Sequence, residues 1–149
     1  MIGDVLHLML QSEMHRDWYV HDLERLVIPA IENDRMLVKY VDSRPTGLFS
    51  YAFLPKFAED AYKDGSAKLT ADIWKNEPGD GMLWVIDFIA PYNNALSIGR
   101  FVQRTLTDRY LETYPMDGAH FIRQAFGKKV GYATGVQADL DMRRYSCAV

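Results

Sequence analysis

The sequence is poor in cysteine: Cys147 is the only one among 149 residues. That excludes an intramolecular disulfide and a cysteine-based metal site, and it suits a reducing cytoplasm. Long hydrophobic runs are missing, and none approaches the roughly 20 residues of a membrane span. A basic excess is missing as well. The 17 Lys and Arg face 20 Asp and Glu, a net charge of −3, which excludes a nucleic-acid binder of the strongly basic kind. Met1-Ile2-Gly3-Asp4 has no cationic stretch and carries an acid, so it reads as a poor signal peptide. No internal repeat or low-complexity tract is visible.

What is present points to a packed core. Hydrophobic residues make up 48% and charged residues 25%, the balance of an ordinary folded chain, and the length suits one domain over 1–149. Charge is unevenly spread. Residues 1–80 hold 9 basic and 14 acidic side chains, net −5, whereas 81–149 hold 8 and 6, net +2. An acidic partner would prefer the second part.

Periodicity sets out the elements. Ile2, Val5, Leu6, Met9 and Leu10 have the spacing of an amphipathic helix ending near Met14. Leu23, Leu26, Val27 and Ala30 predict a second helix, which Pro29 kinks or stops near Ile28. Met36–Val41 and Leu48–Leu54 read as a hairpin around a turn at Asp42–Gly47. Residues 55–76 read as mostly helical with a break at Asp64-Gly65-Ser66, and Glu77–Gly81 as a turn. Met82–Ala90 is the most apolar strand and should be central. A helix follows from about Ala95 to Glu112, with Ile98, Phe101, Val102 and Thr105 inward and Arg100 and Arg104 on another face. Short strands at Ala119–Phe126 and Lys129–Thr134 complete an α+β pattern. This element order resembles that of the GNAT (N-acetyltransferase) fold, a mixed, mostly antiparallel sheet flanked by helices.

Two stretches could carry chemistry. The first is Met14-His15-Arg16-Asp17-Trp18, followed by Val20 and Val27-Ile28-Pro29-Ala30-Ile31. The second is Leu83-Trp84-Val85-Ile86-Asp87-Phe88-Ile89-Ala90-Pro91-Tyr92, an apolar strand with one carboxylate inside it. An acid in such surroundings needs a partner, because an unpaired buried charge is costly. A histidine and a lone buried acid are the parts of a general-base pair. By itself His15 would more simply be a surface or capping histidine, and Asp87 an acid at a sheet edge or in a structural ion pair.

Together the two stretches resemble the RTX toxin-activating lysine acyltransferases, over roughly residues 5–135. The resemblance implies transfer of a fatty acyl group from acyl carrier protein to the ε-amine of internal lysines of an RTX protoxin. It implies His15 as general base and Asp87 as its orienting partner. It implies no tightly bound cofactor, only acyl-phosphopantetheine on the carrier as co-substrate. A lysine amine, of pKa about 10.4, must lose roughly 3.4 units' worth of protonation at pH 7, about 4.6 kcal/mol, before it attacks. A histidine base that removes the proton during attack on the thioester lowers the barrier, and an adjacent carboxylate stabilises the imidazolium. Where some members carry a helpful asparagine this chain has Leu26, and it is short at its C-terminus for the family.

The glycine-bearing pyrophosphate loop of coenzyme A enzymes has no counterpart at Pro91-Tyr92-Asn93-Asn94-Ala95, and Gln124–Lys129 only begins like it. Asn93 and Asn94 are expected to cap the helix or meet the carrier's phosphate. Arg16 is expected to touch the carrier or pair with Asp17 or Asp87, and Arg100 and Arg104 to meet the acidic carrier. Trp18 and Tyr19 read as core, Ser12 as a local hydrogen-bonding residue, and His7, His21 and His120 as surface or packing residues. A homodimer is left open. Two other readings stay open as well: an acyl-CoA-dependent N-acyltransferase on another amine, and a non-enzymatic ligand-binding domain.

Overall fold

The computed structural model describes residues 1–64 and 69–110 and, as backbone, strands at 118–123 and 129–134. Helix α1, Ile2–Leu10, buries Val5, Leu8 and Met9. Ile2 and Leu10, which spacing alone puts in the apolar stripe, are 47% and 65% exposed. The helix also stops four residues before Met14. Bonds from Gln11 N–H to Leu8 O and from Ser12 N–H to Met9 O tighten its last turn and end it.

The second helical stretch runs through α2 (Val20–Asp22), a π-helical turn (Leu23–Val27) and α3 (Ile28–Glu32). Pro29 therefore does not stop the helix near Ile28; the irregularity it brings is a change of helical register in the turn just before it. Proline lacks an N–H and crowds the carbonyl four residues back. The wider π turn, in which Ile28 N–H reaches Leu23 O, makes the room.

Strands β1 (Met36–Val41) and β2 (Arg44–Leu54) form a hairpin on a two-residue turn, shorter than the expected Asp42–Gly47. Asp42 and Ser43 both take positive φ, 48° and 62°, the requirement of the tight turn that matches strand twist. Pro45 is tolerated in β2 because a bulge opposite Lys39/Tyr40 relieves the ladder. Helix α4 (Lys56–Asp64) and a 3₁₀ turn (Ala71–Lys75) follow; 65–68 lie outside the described residues. Then come β3 (Met82–Ile89), α5 (Ala95–Tyr110), β4 (Gly118–Arg123) and β5 (Lys129–Thr134). The helix end expected at Glu112, the strand end at Phe126, the Gln124–Lys128 segment and Cys147 fall outside the described residues.

The sheet order is β1-β2-β3-β4-β5, antiparallel except for the parallel β3/β4 pair, so β3 is central. This is an α+β fold with helices on both faces. One face of β2, with Leu48, Ala52 and Leu54, packs under α1 and α3 together with Trp84 and Ile89. The other, with Phe49, Tyr51 and Phe53, packs on Ile98, Val102 and Leu106 of α5. Gly47 permits that second contact: a Cβ there would collide with the Ile98 side chain and lie 2.8 Å from Ile89 O. Leu106, not Thr105, completes the buried face of α5.

At the edge of this second layer sits Arg35, 5% exposed. It donates to Asn76 O at 2.9 Å, to Glu77 Oε1 at 3.1 Å and to the Tyr110 hydroxyl. It ties the end of α3 to the 3₁₀ turn and to α5. Among the described residues no helix is long and apolar enough to cross a membrane.

Candidate active site

His15 lies in the turns that link α1 to α2. Its N–H bonds to Ser12 O at 3.0 Å, and its own carbonyl accepts from Trp18 N–H at 3.1 Å. These turns fold the imidazole back under the segment, where it is only 6% exposed. The Trp18 ring lies 4.8 Å away, tilted by 47°. Trp18 is half-buried against the core as expected, whereas Tyr19 is 79% exposed and is not core. The turn carries Tyr19 outward to cap α2, its N–H bonding to Asp22 Oδ2 at 3.1 Å.

Asp87 owes its position to an irregularity in β3. The β2/β3 register pairs Ser50 with Asp87 but Tyr51 with Val85, leaving Ile86 as an extra residue. Leu83, Val85 and Phe88 pack with the α5 layer, whereas Trp84, Ile86 and Ile89 pack with the α1 layer. In an unbroken strand Asp87 would share the face of Val85. The bulge turns it to the face of α1, where His15 waits. Beyond Val85 the recorded pairing of β3 with β4 also ends.

A chain of hydrogen bonds results. His15 Nε2 is 3.2 Å from Asp87 Oδ1, and His15 Nδ1 is 2.7 Å from Ser12 Oγ. The other carboxylate oxygen, Asp87 Oδ2, accepts from Ser50 Oγ at 2.6 Å, and Asp87 N–H donates back to Ser50 Oγ at 3.1 Å. A carboxylate only accepts, so Nε2 carries the proton facing it. In the neutral ring Nδ1 then holds the basic lone pair and accepts from the Ser12 hydroxyl. Met9, Trp18, Val27, Met36, Leu48 and Ile89 line a narrow apolar recess beside the pair.

The sequence reading did not single out Ser50. The signal was there: Ser50 is the one aliphatic hydroxyl in the apolar run Leu48–Leu54, as Asp87 is the one carboxylate in its strand. Ser12, read only as a local hydrogen bonder, contacts the imidazole itself.

The remaining candidates stand apart. The Arg16 side chain is exposed and pairs with neither Asp17 nor Asp87. Asn93 is exposed with φ 54°. Asn94 does not cap α5 with its side chain: Nδ2 donates to Thr46 O at 2.8 Å, while its backbone carbonyl accepts from Ile98 N–H at 3.0 Å. Arg100 and Arg104 lie on the exposed face of α5, on the opposite side of the sheet from His15. His7 reaches the Tyr92 hydroxyl at 3.2 Å, and His21 is exposed. The side chain of His120 lies outside the described residues. Among the described residues no group of three or more His, Cys, Asp or Glu could hold a metal ion.

Comparison with known proteins converges on one group. A model of the RTX toxin acyltransferase family matches residues 1–124, which include the whole hydrogen-bonded chain. The RTX-II toxin-activating lysine-acyltransferase ApxIIC of Actinobacillus pleuropneumoniae is 38% identical over 94 residues, 63% of this chain and 57% of that protein. The leukotoxin-activating lysine-acyltransferase LktC serotype A1 of Mannheimia haemolytica is 26% identical over 139 residues, 93% of this chain and 79% of its own. The protein-lysine palmitoyltransferase CyaC of Bordetella bronchiseptica is 30% identical over 109 residues, 73% of this chain and 56% of its own. The matched stretch thus spans a little over half the length of ApxIIC and CyaC.

Proposed function

This chain belongs to the RTX toxin acyltransferase family, and from that membership we propose that it transfers a fatty acyl group to the ε-amine of internal lysines in an RTX protoxin. The donor in this reading is the thioester of acyl-phosphopantetheine on acyl carrier protein, used as co-substrate. His15 is the general base and Asp87 its orienting partner. The observation that carries the reading is the unbroken chain Ser12–His15–Asp87, at 2.7 and 3.2 Å, within the residues the family model covers.

The geometry shapes the proton path. His15 is nearly enclosed and both of its ring nitrogens are engaged. Its basic nitrogen therefore meets the acceptor amine through Ser12. A lysine amine that has already lost one proton to solvent attacks the thioester carbonyl, and a C–N bond forms. The excess proton of the amine passes to Ser12 Oγ as the Ser12 proton moves to His15 Nδ1. Asp87 stabilises the imidazolium. The C–S bond then breaks, and the proton returns from Nδ1 by the same route to the departing thiolate. The products are an amide and a free pantetheine thiol.

The Ser12 bond favours one second route, in which Ser12 Oγ itself takes the acyl group before the lysine does. Incubation with acyl carrier donor and no acceptor, followed by intact mass, separates the two. An unmodified enzyme supports direct transfer, and a Ser12 ester supports the two-step route. The proposal as a whole is tested by mixing enzyme, acyl-loaded carrier and protoxin and mapping acylated lysines. No acylation from the carrier, with efficient use of acyl-CoA on other amines, would reject it.

A further inference from the structure

We infer that Ser50 is a positioning residue of this site, whose hydroxyl holds Asp87 in the orientation that keeps His15 basic at Nδ1; the inference rests on the acyl-transfer reading above. Ser50 is fully buried in the middle of β2. Its register partner across the sheet is Asp87. A hydroxyl has one hydrogen to give and lone pairs to receive. The Asp87 N–H, 3.1 Å away, can only donate to Ser50 Oγ, and the Ser50 hydrogen therefore goes to Asp87 Oδ2 at 2.6 Å.

The two bonds fasten backbone and side chain of the same residue to one atom. They fix the carboxylate torsion and leave Oδ1 turned to His15 Nε2. The bulge at Ile86 is what makes this clamp geometrically available. The neighbours of Ser50 on this face of β2, Leu48 and Ala52, are apolar and offer no substitute donor. Without the hydroxyl, Oδ2 loses its 2.6 Å bond and the carboxylate orientation rests on the longer Oδ1 contact with His15. That contact, which selects the imidazole tautomer, is then weakened, as when a triad carboxylate is altered.

A serine that merely satisfied a buried acid would affect stability but not the tautomer. The imidazole ¹⁵N–¹H correlation spectrum, with His15 assigned by comparison with His15→Ala, reads this without any substrate. Wild type should show the Nε2–H form alone, and Ser50→Ala should show both tautomers. In acyl transfer, Ser50→Ala should lower kcat about tenfold with KM for both substrates within about twofold, and Ser50→Thr should restore most of it. In an Asp87→Ala background the same change should cost no more than about twofold, since the group it positions is already gone. Should Ser50→Ala fail to fold, Ser50→Cys, of similar size but a weaker donor, should fall between wild type and that loss.

An unchanged tautomer with full kcat in Ser50→Ala, or an equal tenfold loss in the Asp87→Ala background, would overturn the inference. An altered tautomer in an enzyme that acylates no lysine would leave Ser50 in its role and remove the assigned reaction instead.

Discussion

His15 and Asp87 stand 72 positions apart in the chain, and their side chains meet at 3.2 Å on the α1 face of the sheet. Two independent features produce the meeting. Val5, Leu8 and Met9 seat α1 on the sheet so that the following turns bring His15 inward. The extra residue Ile86 rotates Asp87 to the same face. Neither feature alone would suffice.

Loss of the base should therefore be severe without loss of the fold. His15→Ala should lower acyl transfer roughly 10²–10⁴-fold, with the circular dichroism spectrum unchanged. Asp87→Asn should cost a similar factor, because an amide can offer Nε2 a donor and favour the wrong tautomer. Full activity in a folded His15→Ala protein would remove the general-base assignment.

Ser12 separates two chemical routes. If it relays a proton, Ser12→Ala should leave KM near wild type and reduce kcat about 10–100-fold, since water can partly replace a relay. If it carries the acyl group, Ser12→Ala should abolish turnover. Ser12→Thr, which keeps a hydroxyl, is the control. Wild-type turnover by Ser12→Ala would reduce the 2.7 Å contact to local structure.

Much of this arrangement was legible in the sequence, for physical reasons. The 3.6 and 2.0 periodicities located the described helices and strands, and the double-sided apolar run of β3 marked it as central. Asp87 stood out as a carboxylate in an apolar strand, whereas His15, set among Glu13, Arg16 and Asp17, was marked only by the likeness of its stretch to the family. What the sequence hid depends on local register. The stripe of α1 includes Leu8 rather than Leu10 because the helix could roll either way on an apolar sequence. The π turn before Pro29 and the bulge at Ile86 each change register by one residue, which no period reveals. The pairing of Ser50 with Asp87 follows from that bulge and was equally invisible.

Acid should loosen α4 through Glu59. Its buried carboxylate bonds Lys63 Nζ at 2.7 Å and Lys56 Nζ at 3.4 Å. Burial alone would raise its pKa, but the Lys63 and Lys56 bonds and charges outweigh that and lower it. A carboxyl lowered on folding stabilises the native state above its unfolded pKa, and the contribution fades as pH falls through the folded value. Glu59→Gln should therefore lower Tm at pH 7 and approach wild type toward about pH 3. Lys63→Met should reproduce most of the effect. Lys56→Met should do little, because the Lys56 side chain is 74% exposed and solvent screens it. Parallel Tm-versus-pH curves for wild type and Glu59→Gln would place the acid sensitivity elsewhere.

The carrier should be recognised by charge at a distance from the chemistry. Arg100 and Arg104 lie on the outer face of α5, across the sheet from His15, and α5 begins within a few residues of the end of β3. A carrier docked there would need its flexible phosphopantetheine arm to bring the thioester around to the Asp87 end of β3. Acyl carrier proteins are acidic as a class, so Arg100→Glu with Arg104→Glu should raise KM for the carrier-bound donor and leave kcat nearly unchanged. The penalty should shrink with added salt, because exposed charges are screened over about 8 Å at physiological ionic strength. Steady-state kinetics at two salt concentrations measures both quantities. The same variant should show no change with a small acyl-pantetheine thioester, which carries no acidic protein to attract. An unchanged KM for the carrier at low salt would move docking to another surface, and exposed Arg16, one residue from His15, would then be the first side chain to reverse.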